Sequence, residues 1–191
     1  MNAGLERLIG GWLRSVRGHD GHLASNDARI ADAPETIRLI SPAFDDGSLI
    51  PQRYAGAGIG DNLSPPLAWS NVPLGTKELV LILQDPDAPL PRPVVHLIAI
   101  GLPLDAFSVP EGFLTPGASR TLGFGRGFMG RIGYTGPRPV LGHGPHRYVF
   151  QLFALSQSLG LAGTPGIDAV MDQVASSVLA RGKLTGVYER V

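Results

Sequence analysis

Residues 79–89 read Leu-Val-Leu-Ile-Leu-Gln-Asp-Pro-Asp-Ala-Pro, an apolar run that passes directly into a stiff acidic segment. Five consecutive apolar residues are typical of a strand that is buried on both faces. In extended backbone Asp85 and Asp87 project to the same side, and the prolines stiffen the segment and remove ladder hydrogen bonds. A plain turn explains these residues equally well, but the position after a buried strand favours two carboxylates at the mouth of a pocket.

Outside this segment, the chain has further short apolar runs that are separated by Pro, Gly and Asp. Gly and Pro contribute 26 and 17 of the 191 residues, so many turns and few long helices are expected. We therefore expect one mainly β domain, a β-sandwich or barrel. The predicted strands cover residues 37–40, 79–84, 94–100, 147–155 and 183–188.

Two helices are predicted, one near each end of the chain. The later one opens near residues 164–165 and ends at Gly182, with Pro near its start and Gly at its end. The first covers residues 4–17, where an apolar stripe is flanked by arginines, as in a helix that contacts a membrane surface, another subunit or its own domain. The stripe consists of Leu5, Leu8, Ile9, Trp12, Leu13 and Val16.

A boundary is predicted at residue 36. Residues 18–35 are rich in Gly, Asp, Asn, Ala and His, so we interpret them as a linker with exposed histidines at His19 and His22. The chain then divides into an N-terminal amphipathic helix with its linker, residues 1–35, and a β domain, residues 36–191.

Composition excludes several classes of protein. Lys and Arg total 16 and so do Asp and Glu, which argues against a protein that holds nucleic acid by bulk charge. The absence of cysteine excludes disulfides, thiolate metal sites and a cysteine nucleophile. The apolar runs are too short to span a membrane, and the N-terminus lacks the pattern of a secretory signal. We expect a cytoplasmic protein.

The charges are unevenly distributed along the chain. Residues 112–167 contain no acidic residue but five arginines, whereas residues 45–87 are mainly acidic. If the fold brings these regions together, the charges either pair internally or form a pocket whose field favours a small anion. The five arginines are Arg120, Arg126, Arg131, Arg138 and Arg147.

Two histidines are candidates for chemistry. His96 lies within an apolar strand, where a core histidine is the ordinary interpretation, and His146 opens a strand after the Gly- and Pro-rich residues 136–145. Their spacing with Asp85 and Asp87 matches no metal motif, and His143 is expected to be exposed. No G-x-S-x-G element is present. We therefore predict no catalytic residue, metal or cofactor.

Taken together, these motifs resemble the phosphatidylethanolamine-binding protein family, and specifically its bacterial, Raf-kinase-inhibitor-like branch. The resemblance covers about residues 36–190, and the order and spacing of its motifs are specific. The matching segments are 41–51, 62–69, 85–89, His96, 133–137, 146–150 and 184–190.

The resemblance implies an antiparallel two-sheet sandwich with Greek-key connections and peripheral helices. It also implies a small pocket for phosphate, a carboxylate or a phospholipid headgroup, and a likeness to bacterial relatives that form homodimers. Carried over by motif, the ligand-binding residues are Asp85, Asp87, His96, Gly136, His146 and Tyr148, with Trp69 at the rim.

An anion beside two carboxylates requires an explanation, because bare carboxylates repel it. Our hypothesis is that at least one aspartate is protonated or paired with an imidazolium, so that His146, the Tyr148 hydroxyl and loop N–H groups donate to the anion. Anion affinity should then change between about pH 5 and 8. The departures from the family pattern, Leu97 for Trp and Val140 for Pro, suggest a wider or less aromatic pocket.

Three functions compete at this point. The first is a non-enzymatic binding protein for a small anionic ligand that regulates another protein. The second is inhibition of a protease or kinase by protein contact, which the family name suggests. The third is a hydrolase that uses the Asp and His cluster, although no nucleophile is marked.

Overall fold

The computed structural model describes residues 2–191 and shows a β protein with two helices. The helices are α1 (Ala3–Trp12) and α2 (Ile167–Ser177), and short 3₁₀ turns lie at Asp20–His22, Ala24–Asn26, Ala28–Ile30, Gln52–Tyr54 and Phe128–Gly130. The strands are β1 (Arg38–Ile40), β2 (Leu67–Ser70), β3 (Glu78–Asp85), β4 (Val94–Ile100), β5 (Ser108–Val109), β6 (Gly123–Phe124), β7 (His146–Leu155) and β8 (Val178–Tyr188).

The strands form two antiparallel sheets. The smaller has the order β1-β2-β5 and the larger has the order β6-β4-β3-β7-β8. In the larger sheet β3 pairs with β4 on one side and with β7 on the other, so its backbone donors and acceptors are satisfied on both edges. The prediction of a mainly β, antiparallel fold with two sheets and few helices is confirmed.

The central strand β3 separates two hydrophobic cores. Leu79, Leu81 and Leu83 face the core shared with the smaller sheet, whereas Val80 and Ile82 face the opposite core. Side chains alternate across a strand with a period of two, so an uninterrupted apolar run requires a cover on both faces. The smaller sheet supplies one cover, and α2 with the N-terminal turns supplies the other.

The segment expected to be a linker packs against the larger sheet. Ala24 and Ile30 are buried in its core, together with Val170 of α2. Two buried glutamines also hold this segment, since Gln84 accepts from the Ala24 N–H and Gln151 accepts from the Ser25 N–H, at 2.8 and 2.7 Å. Residues 20–30 therefore complete the fold, while the boundary at residue 36 stays a prediction.

Helix α1 docks on the loop before β7 through a glycine. A Cβ on Gly10 would lie 2.2 Å from the Leu141 carbonyl oxygen, so only glycine allows the two backbones to approach. Glu6 accepts a hydrogen bond from Arg190 at 2.6 Å on the same side of the helix. The apolar side chains instead point outward, and Trp12 is 89% exposed. Gly10 lowers the helix propensity of this segment, yet it is the residue that allows α1 to dock.

The ends of both helices and the burial of one histidine differ from the sequence predictions. The first helix ends at Trp12 rather than residue 17. The second ends at Ser177, because β8 begins at Val178 and the register with β7 takes over the residues expected to be helical. His19 is half-buried, although His22 is exposed as expected. Within residues 2–191, no helix is both long and apolar enough to cross a membrane.

Candidate functional site

A cavity of about 350 Å³ opens where β3, β4 and β7 end near the 128–140 loop. Five of the predicted ligand-binding residues line it: Asp85, His96, Gly136, His146 and Tyr148. Most of the remaining wall is apolar, contributed by Ala88, Pro89, Leu90, Val94, Phe128, Met129 and Val140. A few polar groups in an apolar cavity of this size are typical of a small-molecule site.

A bulge in the larger sheet places His96 at the cavity. Leu83 pairs with Leu97 and Gln84 pairs with Val95, so His96 is the extra residue on β4. Such bulges turn a side chain away from the regular alternation. The half-buried ring donates Nδ1–H to the Thr135 carbonyl at 2.8 Å, and its burial lowers the pKa of His96. Its other nitrogen, Nε2, is therefore an acceptor in the neutral ring.

The Tyr148 hydroxyl is the unpaired polar group of the cavity. The side chain is fully buried on β7, and its ring packs edge-on against His96 at 5.2 Å. The hydroxyl lies close to the Asp85 carboxylate and the Arg138 backbone, but it makes no hydrogen bond of regular geometry with residues 2–191. Burial, with the nearby Asp85 charge, raises the pKa of Tyr148 well above its usual value. A neutral hydroxyl in this position is available to a ligand, and leaving it unpaired is unfavourable.

A buried hydrogen-bond chain leads away from the cavity. His146 Nδ1 lies 2.8 Å from Asp85 Oδ2, and His146 Nε2 lies 2.8 Å from His143 Nδ1. His143 Nε2 then lies 2.8 Å from the Leu13 carbonyl oxygen, just beyond the end of α1. Both ring nitrogens of His146 are engaged, so the expectation that His146 donates directly to a bound anion is wrong for this arrangement.

His143 corrects a second expectation. The sequence predicted an exposed side chain in a Gly-rich loop, but His143 is fully buried between the loop and the end of α1, and its burial lowers the pKa of the ring. The only local signal was a second histidine three residues before His146. Among the described residues, no group of three or more His, Asp or Glu side chains is arranged to hold a metal ion.

Asp87 lies outside the cavity wall. Its carboxylate accepts hydrogen bonds from the N–H, Nε and Nη2 of Arg147 at 2.8–2.9 Å, and Arg17 lies 3.6 Å away. Burial raises the pKa of Asp87, but the hydrogen bonds and charge of Arg147 outweigh it, and the pKa falls to about 2. Asp87 is therefore a structural ion-pair partner, so one of the two acidic residues pairs internally.

The cavity mouth carries two of the arginines from the basic segment. Arg131 and Arg138 line it and are exposed to solvent. Between them, Gly136 lets the loop approach residues 54–56, because a Cβ there would lie 2.2 Å from the Tyr54 carbonyl oxygen. The predicted basic loop thus supplies both pairing partners and positive charge at a pocket.

Trp69 does not lie at the rim. It is buried on β2 opposite Leu39, in the core between the two sheets, and it is absent from the cavity lining. Alternation along β2 directs this side chain toward the core. The sequence motif therefore marked a packing residue.

Comparisons with known proteins agree on one family. A model described as phosphatidylethanolamine-binding protein matches residues 40–189. A UPF0098 protein of Aquifex aeolicus is 35% identical over 173 residues, which cover 89% of this chain and 98% of the relative. Helix α1 and the first three 3₁₀ turns lie before the segment that the family model matches.

Two solved structures are similar over most of the chain. CT736 of Chlamydia trachomatis, described as a homologue of phosphatidylethanolamine-binding protein, has a TM-score of 0.73 at 31% identity and covers 81% of this chain and 98% of its own. YbcL of E. coli, described as a member of the mammalian family, has a TM-score of 0.75 at 26% identity, with coverage of 81% and 99%.

Proposed function

The chain belongs to the phosphatidylethanolamine-binding protein family, and from this premise we propose that it is a non-enzymatic binding protein for a small phosphate- or carboxylate-bearing ligand. The buried, unpaired Tyr148 hydroxyl in the cavity carries this proposal. A ligand oxygen that accepts from it removes the free-energy penalty of an unsatisfied buried donor.

The charges of the cavity support an anionic group. Asp85 faces a ring nitrogen of His146, and when the pair holds one proton more than a neutral imidazole and a carboxylate, its net charge is zero and no longer repels an anion. Arg131 and Arg138 at the mouth add positive charge. The apolar wall suits a ligand with a short hydrocarbon part, so a phospholipid headgroup with its glycerol is one source of the phosphate and free phosphate is another.

Calorimetric titration tests the proposal with inorganic phosphate and glycerophosphoethanolamine as probes. We expect saturable binding to the wild type and about tenfold weaker binding to Tyr148→Phe, which removes one donor. Tyr188→Phe is the matched control, because Tyr188 is half-buried and lies outside the cavity lining. Tighter binding of glycerophosphoethanolamine than of phosphate would favour the headgroup.

Two outcomes would overturn the proposal. Equal affinities of Tyr148→Phe and the wild type would place the anion elsewhere. Turnover of a phosphoester that is lost in both Asp85→Ala and His146→Ala would replace the binding function with the hydrolase. Regulation of another protein and a cytoplasmic location remain predictions from the sequence.

The exposed apolar face of α1 supports a second, separate function in self-association. We propose that Leu5, Leu8 and Trp12, which are 53%, 66% and 89% exposed, form a homodimer contact. These side chains lie on the side of the helix away from Gly10, so docking of α1 leaves them free. Exposed apolar clusters of this kind mark interaction surfaces.

Light scattering during size-exclusion chromatography measures the dimer. We expect the mass of a dimer for the wild type and of a monomer for Leu8→Ser and Trp12→Ser. Leu74→Ser is the control, because Leu74 is fully exposed in a turn of the β domain. A monomeric wild type that sediments with anionic phospholipid vesicles would replace the dimer with weak membrane-surface contact, which Arg7 and Arg14 would assist.

A further inference from the structure

We propose that His143 couples the docking of the N-terminal helix to the cavity through the hydrogen-bond chain Asp85–His146–His143–Leu13. This chain is complete only when its three side chains hold one proton more than two neutral imidazoles and an ionised carboxylate. His143 is a positioning residue in this proposal. The inference describes regulation of the cavity, so its consequence for a ligand rests on the proposed function. The geometry of the hydrogen-bond chain and the experiment that tests it do not depend on the proposed function.

The proton count follows from the acceptor at the end of the chain. A carbonyl oxygen only accepts, so His143 must carry its proton on Nε2 to bond Leu13. Each of the other two links, His143 to His146 and His146 to Asp85, is 2.8 Å long and needs one proton of its own. Three links therefore need three protons.

Two neutral imidazoles and an ionised carboxylate carry only two protons. The complete chain thus binds one more, and the three side chains together are neutral. The proton of the His146–Asp85 link lies between these two side chains, at the cavity end of the chain. In the complete chain the carboxylate charge that would repel an anion is therefore balanced.

Loss of the extra proton must break one link. In one arrangement His143 keeps its bond to Leu13, and two ring lone pairs of His143 and His146 face each other at 2.8 Å. In a second, His143 turns its only proton toward His146, and its Nε2 lone pair faces the Leu13 oxygen. In a third, His146 donates from Nε2 to His143, and its Nδ1 lone pair faces the Asp85 carboxylate. All three arrangements are repulsive. Asp85 and His146 are held on strands, so the end of α1 at the surface is the part that can move away.

Other charged and titratable groups surround the chain, among them His19, whose backbone N–H donates to the Pro86 carbonyl between the two aspartates. Arg14 and Arg17 face the loop at Gly144, and Arg17 is fixed by the Pro145 carbonyl and Asp87. His96 is kept neutral by burial, and Tyr148 is kept protonated by burial. The remaining charges nearby are Glu6, Arg131, Arg138, Arg147 and Arg190.

The sign of the pH dependence follows from the count. The docked state binds more protons than the released state, so docking is favoured at lower pH and weakens as pH rises. Because docking takes up at most one proton, the equilibrium constant for docking changes by at most tenfold per pH unit. Gly10 and the Glu6–Arg190 pair hold the first turns of α1 independently, so the effect is confined to its end.

Hydrogen exchange of the free protein measures this equilibrium. The amides of Leu13 and Val16 donate to the Ile9 and Leu13 carbonyls at the end of α1, and their protection factors report its opening. We expect the wild-type protection factors to fall by up to tenfold per unit between about pH 5.5 and 8.5. Amides of Leu81 and Phe150, in the central strands, report that each variant is folded.

Two variants give opposite results if the proton count is right. In Asp85→Asn, the amide Nδ2–H donates to His146 Nδ1, so all three links form with neutral rings and protection stays high at every pH. In His143→Phe the chain is cut, and protection is low at every pH. His22→Phe, which removes an exposed histidine, keeps the wild-type pH dependence.

The proposal is overturned by constant wild-type protection across this pH range. It is also overturned by an unchanged pH dependence in Asp85→Asn, even if His143→Phe fails to fold. Because no phosphate is added, failure of anion binding leaves this result unaffected, and failure of the coupling leaves the Tyr148 titration unaffected.

Discussion

Asp85 and Asp87 lie two residues apart in one rigid segment, yet their surroundings differ in kind. Asp87 accepts three hydrogen bonds from Arg147 and has its charge fully compensated. Asp85 faces a cavity that contains the unpaired Tyr148 hydroxyl, and its imidazole partner connects it to a further buried histidine. Asp85 also accepts from the Asp87 N–H, but its side-chain partner is an imidazole rather than a permanent cation. A buried charge paired with a permanent cation contributes to stability, whereas the charge of a carboxylate–imidazole pair depends on how many protons the pair holds.

The largest expected difference between the two aspartates is in stability. Asp87→Ala removes three charge-assisted hydrogen bonds and should lower the free energy of unfolding by about 3 kcal/mol. This value is at the lower end for a broken buried ion pair, because Arg147 keeps its ion pair with Asp20 and is partly exposed to solvent. Asp85→Asn should cost less than about 1 kcal/mol, since its hydrogen-bonding shape is kept. Urea unfolding at pH 7 compares them, and equal losses would contradict the contrast.

The second prediction concerns acid. The pKa of Asp87 in the folded state is about 2, below its unfolded value, so its contribution is present above about pH 4 and is lost as pH falls toward 2. We expect the wild type to lose about 2 kcal/mol of stability more than Asp87→Asn over this range. Thermal unfolding at pH 5, 4, 3 and 2 measures the loss. Parallel curves would show that Arg147 does not hold this carboxylate.

The smallest effect is expected at the cavity mouth. Arg138→Gln removes an exposed positive charge, so phosphate affinity should fall about threefold and the free energy of unfolding should stay the same. The affinity difference should shrink as salt is added, because exposed charges are screened. Calorimetry at low and high salt tests this, with Arg120→Gln as the control outside the cavity. Equal losses in both variants would indicate a non-specific charge effect.

Much of the fold could be predicted because its signals are local. The apolar run of β3 predicted a strand covered on both faces, and β4 was predicted with its observed bounds, Val94–Ile100. The end of α2 could not be predicted, because Val178 joins the ladder with β7 and the pairing of distant residues overrides local helix propensity. The docking of α1 through Gly10 was equally hidden, since a contact between two backbones leaves no hydrophobic pattern.

The residues of the candidate site also divide into those that the sequence predicted and those that depend on the tertiary structure. The motifs that resemble the family implied five residues that line the cavity, because they sit at strand ends and in motifs whose order along the chain is kept. They also assigned Asp87 and Trp69 to this site. That assignment was wrong because the sequence does not show in which direction these two side chains point. The bulge at His96 and the burial of His143 also depend on strand register and on the position of α1.

By itself, the amino-acid sequence determined that the chain forms a mainly β protein, because hydrophobic periodicity and turn residues act over short distances. The resemblance of its motifs to a family implied the two sheets and an acidic, histidine-bearing pocket. Only the tertiary structure decided which aspartate is neutralised by Arg147 and which one faces the cavity. It also decided that the Tyr148 hydroxyl is unpaired and that His143 connects the cavity to α1. Hydrogen-bond partners are chosen by distances of a few ångströms between residues that are 60 to 130 positions apart.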